Sequence, residues 1–491
     1  MNETETGEVT QDPSADSLGR AGRRHGRDLT TGSIPRHMVA FSLPILIGSA
    51  LHTAYSFVDA IWVGHYLGRS ALAAVTVSFP VVFVLVAVGG GLTMATGILV
   101  GQHYGARDAQ QMRRVVDSSV VLMGGLSVAL TLGGSVLAPH ILRAMDTPAA
   151  VLPLATGYMR IFLLGIPFGF GLFLTRSMLQ GIGDSATPLY FQGGAVMLNI
   201  ILDPLLMLGW LGFPRLGLDG AAWATVVSQG LALAALLVHL KRRHSPVAPS
   251  FHRLRVHWPT AWVTVRIGTP AALQQSLVSI SMVFVIGIVN RFGESATAAY
   301  GAASRVDQLA FMPALTLSLA VSTFTAQNIG AHKFDRVRAT FWWGLALAGS
   351  VTLLASILAL TIPATLLRIF TSDPAVIRIG IGYLRVVGAC YICFAALFVS
   401  NGVINGAGHT FVTALISLVS LWVVRVPFAL YLSNRLGDVR GIWYAIAASF
   451  AVTMCASLGY FSSGRWRRPV GRASLPRAAA AAAPSGDGAD I

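Results

Sequence analysis

The segments that decide the fold are residues 102–106, QHYGA, and residues 327–331, QNIGA, which stand 225 residues apart. The sequence repeats itself twice more at this spacing. The two further pairs are GYMR at 157–160 with GYLR at 382–385, and QGIG at 180–183 with NGAG at 405–408. Three blocks that share one offset indicate that the chain contains two copies of one unit.

The composition is that of a membrane protein. The chain has 491 residues, of which 54% are hydrophobic and 11% charged, whereas soluble domains carry about 25% charged residues. Most apolar stretches exceed the roughly 20 residues that cross a bilayer as a helix. We predict an all-α integral membrane protein with twelve spans, at residues 36–66, 70–101, 113–139, 151–180, 184–210, 217–241, 259–290, 294–328, 336–363, 375–405, 409–434 and 440–464.

The repeat predicts two lobes of six spans each. Six is an even number, so the second copy enters the membrane in the same orientation as the first, and the axis that relates the lobes runs along the membrane normal. Such duplicated spans are typical of secondary transporters. The predicted units are a disordered tail (1–33), an N-lobe (34–241), a cytoplasmic linker (242–258), a C-lobe (259–464) and a second disordered tail (465–491).

The net charge of +15 reflects topology in this interpretation and does not indicate nucleic-acid binding. Of the 35 Lys and Arg residues, 21 fall in the tails and even-numbered loops and seven in the odd-numbered loops. Because basic residues concentrate on the cytoplasmic side, both termini are predicted to be cytoplasmic. We expect the basic clusters to contact anionic lipid headgroups.

Few sequence features point to an enzyme. The twelve histidines are scattered in tails, loops and span ends, and no phosphate-binding loop of the GxxxxGK[ST] type occurs. An integral membrane enzyme would need His, Asp or Glu grouped at catalytic or ligand spacing. We therefore predict a protein that is not an enzyme and has no cofactor and no bound metal, apart from a transported or coupling ion.

Two carboxylates, Asp59 and Asp203, lie inside predicted spans one and five. A carboxylate at membrane depth costs about 2.5–3.5 kcal/mol on insertion scales. Lipid does not compensate that cost, so we expect both side chains to face a protein or water cavity. A role in proton or cation binding and a role as a structural polar cluster both remain open for each.

Asn199 and Asp203 are four residues apart, so their side chains lie on one face of a helix. Pro204 has no N–H and frees the carbonyl of Ile200 one turn away. A carboxylate, an amide and a free carbonyl together are typical of a small-cation or proton site. Pro204 and Pro44 are also candidate hinges, although either proline can serve only to shape the bundle.

Span eight carries Arg305 and Asp307, two residues apart. Side chains at this spacing do not face each other on a helix, so each needs its own partner. Arg425 in span eleven is the candidate partner for Asp307. A structural bridge and a functional polar site both fit this pattern.

Methionines and aromatic residues are frequent in spans four, eight and ten. Flexible thioethers and stacking rings suit a cavity that accepts varied amphipathic cations. Core packing is the alternative for each of them. The candidate cavity residues are Tyr55, Phe168, Met178, Phe311, Met312 and Phe394.

Over roughly residues 36–462 the chain resembles the multidrug and toxic compound extrusion (MATE) transporters. The motifs that carry the resemblance are Pro44, VDAIWVG at 58–64, GQHYGA at 101–106, QGIGDSATP at 180–188, residues 199–204, and AQNIGA at 326–331. The resemblance implies two six-helix lobes around a V-shaped chamber. It also implies export of drugs, mostly cationic, driven by inward movement of H⁺ or Na⁺.

Within that family the sequence is most similar to the DinF-like branch, whose cation site lies in the N-lobe. The resemblance assigns this site to Asp59, Asn199 and Asp203, with Thr225 of span six completing it. The NorM-like branch instead has a glutamate in span seven, where this chain has Gln274 and Gln275. Gln274 is therefore at most part of a secondary polar site with Asp307.

The expected protein is a multi-pass antiporter of the bacterial inner membrane that functions as a monomer. A lipid-linked saccharide flippase of the same superfamily is the alternative, and would line its cavity with several arginines. The matched pair Arg160 and Arg385 is the observation that favours the flippase.

Overall fold

The computed structural model describes residues 26–250 and 255–468, and within them it leaves out the side chains at 56–61 and 69. All the regular elements in these ranges are helical. Eleven helical stretches are long and apolar enough to cross a membrane, and a pair of helices joined at a bend of 44° makes a twelfth span. The predicted all-α architecture with twelve spans is confirmed.

The spans have the following bounds. In the N-terminal half they are Ile34–Tyr66, Arg69–Gly105, Ala109–Ala144, the bent pair Leu152–Leu164 and Ile166–Gly181, Ala186–Leu208, and Leu218–Arg242. In the C-terminal half they are Trp258–Asn290, Glu294–Gly330, Phe334–Thr361, Pro374–Val387 continuing as Tyr391–Gly406, Thr410–Leu418 continuing through a π-helical turn to Val426–Leu436, and Arg440–Ser462.

The break in span four has a counterpart in span ten. Pro167 has no N–H to offer the carbonyl of Leu163, and that carbonyl accepts a hydrogen bond from the Thr131 hydroxyl at 2.8 Å instead. In span ten the carbonyl of Gly388 accepts from the Ser356 hydroxyl at 2.7 Å. Both donors and both acceptors are related by the offset of 225, so the helix break and its compensation were duplicated together.

Each half has its own hydrophobic core. One cluster of buried residues lies mainly in spans two to six and another in spans seven to twelve. A third cluster joins the start of span one to spans eight to ten through residues such as Phe41, Phe324 and Phe341. The exact lobe boundaries stay predictions, but the two cores agree with two six-helix units.

The two halves close against each other at the ends of spans two, four, eight and ten. Gln102 donates through its amide nitrogen to the Gly406 carbonyl at 3.1 Å, and Gln327 donates to the Gly181 carbonyl at 2.8 Å. A Cβ on Gly105 would collide with the Gln327 carbonyl. We call this contact the terminal seam, because even-numbered spans end on the side of the membrane where the described chain begins.

Residues 26–33 form a strap across the terminal seam. The Leu29 N–H donates to Gln327 Oε1 at 3.0 Å, and the Leu29 side chain is completely buried. Lys333 donates to the Thr30 carbonyl at 2.9 Å, and Arg336 donates to the Thr31 carbonyl at 2.7 Å. The prediction of a disordered tail is therefore wrong for residues 26–33.

The start of the second predicted tail is ordered as well. Residues Arg465–Arg467 form a 3₁₀ turn, and Trp466 is buried against Phe461 and Phe334. The rest of both predicted tails, and residues 251–254 of the predicted linker, lie outside the described residues.

Candidate functional site

Three of the four residues predicted for the cation site have described side chains, and these lie together in the N-terminal half. Asn199 and Asp203 of span five are 2% and 0% exposed. Thr225 of span six lies beside them, with its hydroxyl 3.3 Å from Asn199 Nδ2 and 3.3 Å from the Tyr55 hydroxyl of span one. Spans one, five and six thus bring an amide, a carboxyl and two hydroxyl groups to one point.

The Asn199 amide fits this cluster in one orientation. With its nitrogen toward Asp203, it donates to Asp203 Oδ2 at 3.1 Å and to the Tyr55 hydroxyl at 3.3 Å, while its oxygen accepts from the Thr225 N–H at 3.0 Å. In the opposite orientation the amide nitrogen faces the Thr225 N–H, so two donors oppose each other. The Asn199 amide therefore donates to Asp203, whose oxygen acts as the acceptor.

The Asp59 side chain lies outside the described residues, although its backbone belongs to the helix Ile34–Tyr66. Asp59 is four residues after Tyr55, so both residues lie on one face of that helix. Its predicted role beside Asp203 stays a prediction. Pro44 and Pro204 lie inside helices that continue past them, and the hinge roles of these prolines stay predictions as well.

A cavity of about 90 Å³ opens beside this cluster, between spans one, four, five and six. Tyr55, Asn199 and Thr225 line it, together with residues outside the predicted ion-site and cavity sets. These are chiefly His52, Phe173, Arg176, Gln192, Ser228 and Gln229. The N-lobe cavity is therefore polar on the side of the amide cluster and cationic on the side of Arg176.

A larger cleft of about 410 Å³ lies between the two halves, bounded by spans two, four, seven and eight. Its inner end reaches Gly181, the residue whose carbonyl accepts the Gln327 hydrogen bond of the terminal seam. Phe173 and Arg176 line both this cleft and the N-lobe cavity. A volume of this size suits one small organic molecule.

Most residues predicted to line a substrate cavity do not line either of these two. Tyr55 lines the N-lobe cavity, as predicted. Met178 and Phe394 are 1% and 2% exposed and pack in the cores of their lobes, so the prediction is wrong for both. Phe311 stacks edge-on against Phe398, while Phe168 and Met312 are exposed elsewhere on the bundle.

The carboxylate of the C-terminal half has partners other than the predicted one. Tyr383 and Tyr391 of span ten both donate their hydroxyl groups to Asp307, the second at 2.5 Å. Arg425 instead donates to the Ser449 hydroxyl at 2.8 Å and stacks on the Phe450 ring at 4.8 Å. Within the described ranges, Arg425 and Asp307 do not approach to ion-pair distance, so the proposed direct bridge is absent there.

The other members of the predicted secondary polar site are dispersed. Arg305 is exposed and lies over the Phe370 ring at 5.7 Å. Gln274 donates to the Ser417 hydroxyl at 2.9 Å, which joins span seven to span eleven. The described structure therefore does not bring Arg305, Gln274, Asp307 and Arg425 into one site.

Residues outside the predicted set contribute most of the cavity polarity. Arg176, Gln192 and His52 stand singly within apolar spans, and the sequence does not show which face of each helix turns inward. Among the residues that the structure describes, no three His, Cys, Asp or Glu side chains come together as a metal site.

Known sequences match most of the length of the chain. The sequence model of the MatE family matches the chain twice, at residues 44–205 and 270–431. The probable multidrug resistance protein YpnP of Bacillus subtilis is 33% identical, over 90% of this chain and 97% of its own length. The FAD transporter of Shewanella oneidensis is 28% identical, over 86% of this chain and 93% of its own length.

Solved structures are similar over the same part of the chain. A crystal structure of MATE in the straight conformation has a TM-score of 0.80 and 25% identity, covering 90% of this chain and 97% of that one. The outward-facing conformation of a multidrug resistance MATE family transporter of the MOP superfamily matches with the same TM-score, identity and coverage.

Proposed function

The chain belongs to the MatE family of membrane transporters, and on this premise we propose that it exports small amphipathic molecules in exchange for H⁺ or Na⁺. The observation that carries the proposal is the cleft between the halves, closed at one end by the crossed hydrogen bonds of Gln102 and Gln327. A transporter that alternates access needs such a seam, which closes one side of a central chamber at a time.

The distribution of basic residues supports a terminal seam on the cytoplasmic side, and we take the membrane to be the bacterial inner membrane. In this proposal the described conformation is closed toward the cytoplasm and faces outward. The strap of residues 26–33 strengthens the closed seam because Leu29 bonds directly to the Gln327 amide oxygen. Opening toward the cytoplasm requires all these bonds to break.

The coupling ion binds at Asp203 and Asn199, with Asp59 and Thr225 as further members of the site. An ionised Asp203 accepts the Asn199 N–H, and loading a proton or Na⁺ neutralises that carboxylate. Because the same amide contacts Thr225 of span six and Tyr55 of span one, a change of charge on Asp203 alters the contacts of both neighbouring spans. Span one bends near Pro44, and span five adjusts near Pro204.

The ion drives export only if it binds the two conformations with different affinity, since a ligand with equal affinity for both shifts nothing. Uptake from outside stabilises the state that has released its substrate. No cofactor takes part in this cycle. We expect the unit that carries out the cycle to be a monomer.

Arg160 and Arg385, the pair that favoured a lipid-linked saccharide flippase, are exposed and line neither the cleft nor the N-lobe cavity. Export of small molecules is therefore the better supported function. Relatives of comparable identity are described as a multidrug resistance protein and as an FAD transporter. The cavity lining must therefore decide the substrate class, including whether the substrates are mostly cations, as the sequence predicted.

The test uses purified protein in lipid vesicles with an imposed pH gradient or an imposed Na⁺ gradient. Three fluorescent probes cover the charge classes: ethidium as a cation, riboflavin as a neutral molecule and flavin mononucleotide as an anion. We expect at least one probe to accumulate against its own concentration gradient. This accumulation should stop when an ionophore collapses the ion gradient. Failure of all three probes under both gradients contradicts the proposal.

A further inference from the structure

Arg176 stands where the two cavities meet. It belongs to the second half of span four, Ile166–Gly181, and lines both the N-lobe cavity and the cleft between the halves. Phe173, one turn earlier on the same helix, also lines both. A molecule that occupies either cavity therefore lies beside this guanidinium group and this ring.

In the cleft, no described carboxylate balances the charge of Arg176. Among the described residues that line the cleft, Arg176 is the only ionisable side chain. The described lining of the N-lobe cavity adds His52 and again contains no Asp or Glu. Within the part of the chain that the structure describes, Arg176 forms no ion pair. The cleft is therefore electropositive in its described lining, whereas the N-lobe cavity also adjoins the Asp203 carboxyl group behind Asn199.

The guanidinium group retains capacity for a ligand. It has five N–H donors, and its hydrogen bond in the described structure is from Nη1 to Gln192 Oε1 at 3.3 Å. A carboxylate, sulfonate or phosphate can accept two parallel N–H bonds from such a group, and this pairing strengthens away from bulk water. A cationic group in the same place is repelled.

From these observations we propose that Arg176 binds an anionic group of the transported molecule, while Phe173 and Phe83 of span two, which also lines the cleft, contact its apolar body. The substrates are then amphipathic organic anions and zwitterions, in place of the simple cations expected from the sequence. This inference rests on the proposed export function and narrows its substrate class. The ligand is the transported molecule, since Arg176 lines internal cavities of the bundle.

The test compares riboflavin with flavin mononucleotide, which share one ring system and differ by a phosphate group. Binding to purified protein in detergent is followed by equilibrium dialysis. We expect Arg176→Gln to weaken flavin mononucleotide binding about tenfold or more and to change riboflavin binding less than about twofold. Arg176→Lys should restore part of the affinity, because a point charge remains without the planar fork.

Arg435→Gln is the matched control, because Arg435 is exposed, lies over the Tyr431 ring and lines neither cavity. It should bind both flavins as the wild type does. An equal loss of both flavins in Arg176→Gln overturns the inference, as does unchanged binding of flavin mononucleotide. Melting temperatures of all variants separate loss of the phosphate contact from loss of the fold.

A second arm distinguishes the substrate from a lipid headgroup that carries the same phosphate. Adding phosphatidylglycerol should leave flavin mononucleotide binding unchanged, whereas competition that disappears in Arg176→Gln would identify the headgroup as the ligand and overturn the inference. The dialysis experiment measures binding and the vesicle assay measures transport, so each result can be judged separately. Binding that depends on Arg176 without transport of any probe would leave the anion site intact and contradict the export function.

Discussion

At the terminal seam, Gln102 of the N-terminal half and Gln327 of the C-terminal half each donate to a carbonyl of the other half, at 3.1 and 2.8 Å. Inside the halves the chemistry differs. The N-terminal half buries Asp203 beside the Asn199 amide and the Tyr55 and Thr225 hydroxyl groups, whereas the C-terminal half fixes Asp307 between two tyrosine hydroxyls. Both repeats thus contribute to closure of the seam, whereas the polar cluster that we propose as the ion site lies in the N-terminal half.

The largest effect should come from substitutions that prevent the terminal seam from closing. Gly105→Ala and Gly330→Ala each place a Cβ against a main-chain carbonyl of the opposite half, so the seam cannot close. We expect both variants to reduce vesicle transport by about tenfold or more, since even small misfits at a close-packed contact force the backbone apart. Gly301→Ala is the control, because nothing lies within 4 Å of its added Cβ. If either seam variant transports as well as this control, the seam is not needed for transport.

The next effect separates the two carboxylates. Asp307→Asn removes the charged acceptor of the Tyr383 and Tyr391 hydroxyls and should lower the free energy of unfolding by about 1–3 kcal/mol. Transport by the folded protein should stay within about twofold of wild type. Thermal melting and vesicle transport measure the two quantities. Lost coupling with an unchanged melting temperature would assign ion chemistry to the C-terminal half as well.

A smaller effect compares how much each of the two seam glutamines stabilises the closed seam. Gln102→Ala and Gln327→Ala should each destabilise the closed seam by about 1 kcal/mol. The loss should be greater for Gln327, since its side chain also accepts the Leu29 N–H of the strap. Ser322 lines the cleft. Labelling of Ser322→Cys, in a variant without the three native cysteines, reports opening of the seam when a membrane-impermeant thiol reagent is added only on the terminal side. Equal labelling of both variants would mean that the strap adds nothing to closure.

The smallest effect is expected at Thr225, a peripheral residue of the proposed ion site. Thr225→Val keeps the shape of the side chain and removes the hydroxyl beside Tyr55 and Asn199. We expect the apparent affinity for the coupling ion to fall about threefold, with no change in melting temperature. Thr316→Val is the control, because the Thr316 hydroxyl bonds to the Met312 carbonyl of its own helix. An equal shift in both variants would show that Thr225 does not act on the ion.

The sequence predicts the spans well because lipid imposes long apolar helices, and it predicts the repeat because both seam motifs are preserved. It also predicts the Asn199 and Asp203 pair, since their spacing places both on one helix face. The sequence does not predict how each helix is rotated about its own axis. In a membrane both faces of a span are apolar, so nothing in the pattern turned Met178 toward the core or Arg176 toward the cavities.

The strap was missed for a different reason. Its hydrogen bonds use main-chain atoms, such as the Leu29 N–H and the Thr30 and Thr31 carbonyls, and these atoms carry no signal of residue type. The two tyrosines that bind Asp307 were missed because they lie 76 and 84 residues away along the chain. No local spacing rule connects residues so far apart.

The most direct test of an ion site in the N-terminal half alone compares Asp203→Asn with Asp307→Asn in vesicles, using a probe that the wild type exports. Both variants are first matched for membrane insertion and melting temperature. We predict that Asp203→Asn loses gradient-driven accumulation of the probe by about tenfold or more, while Asp307→Asn stays within about twofold of wild type. Wild-type accumulation by Asp203→Asn, or equal losses in both variants, would contradict the assignment of the ion site to the N-terminal half alone.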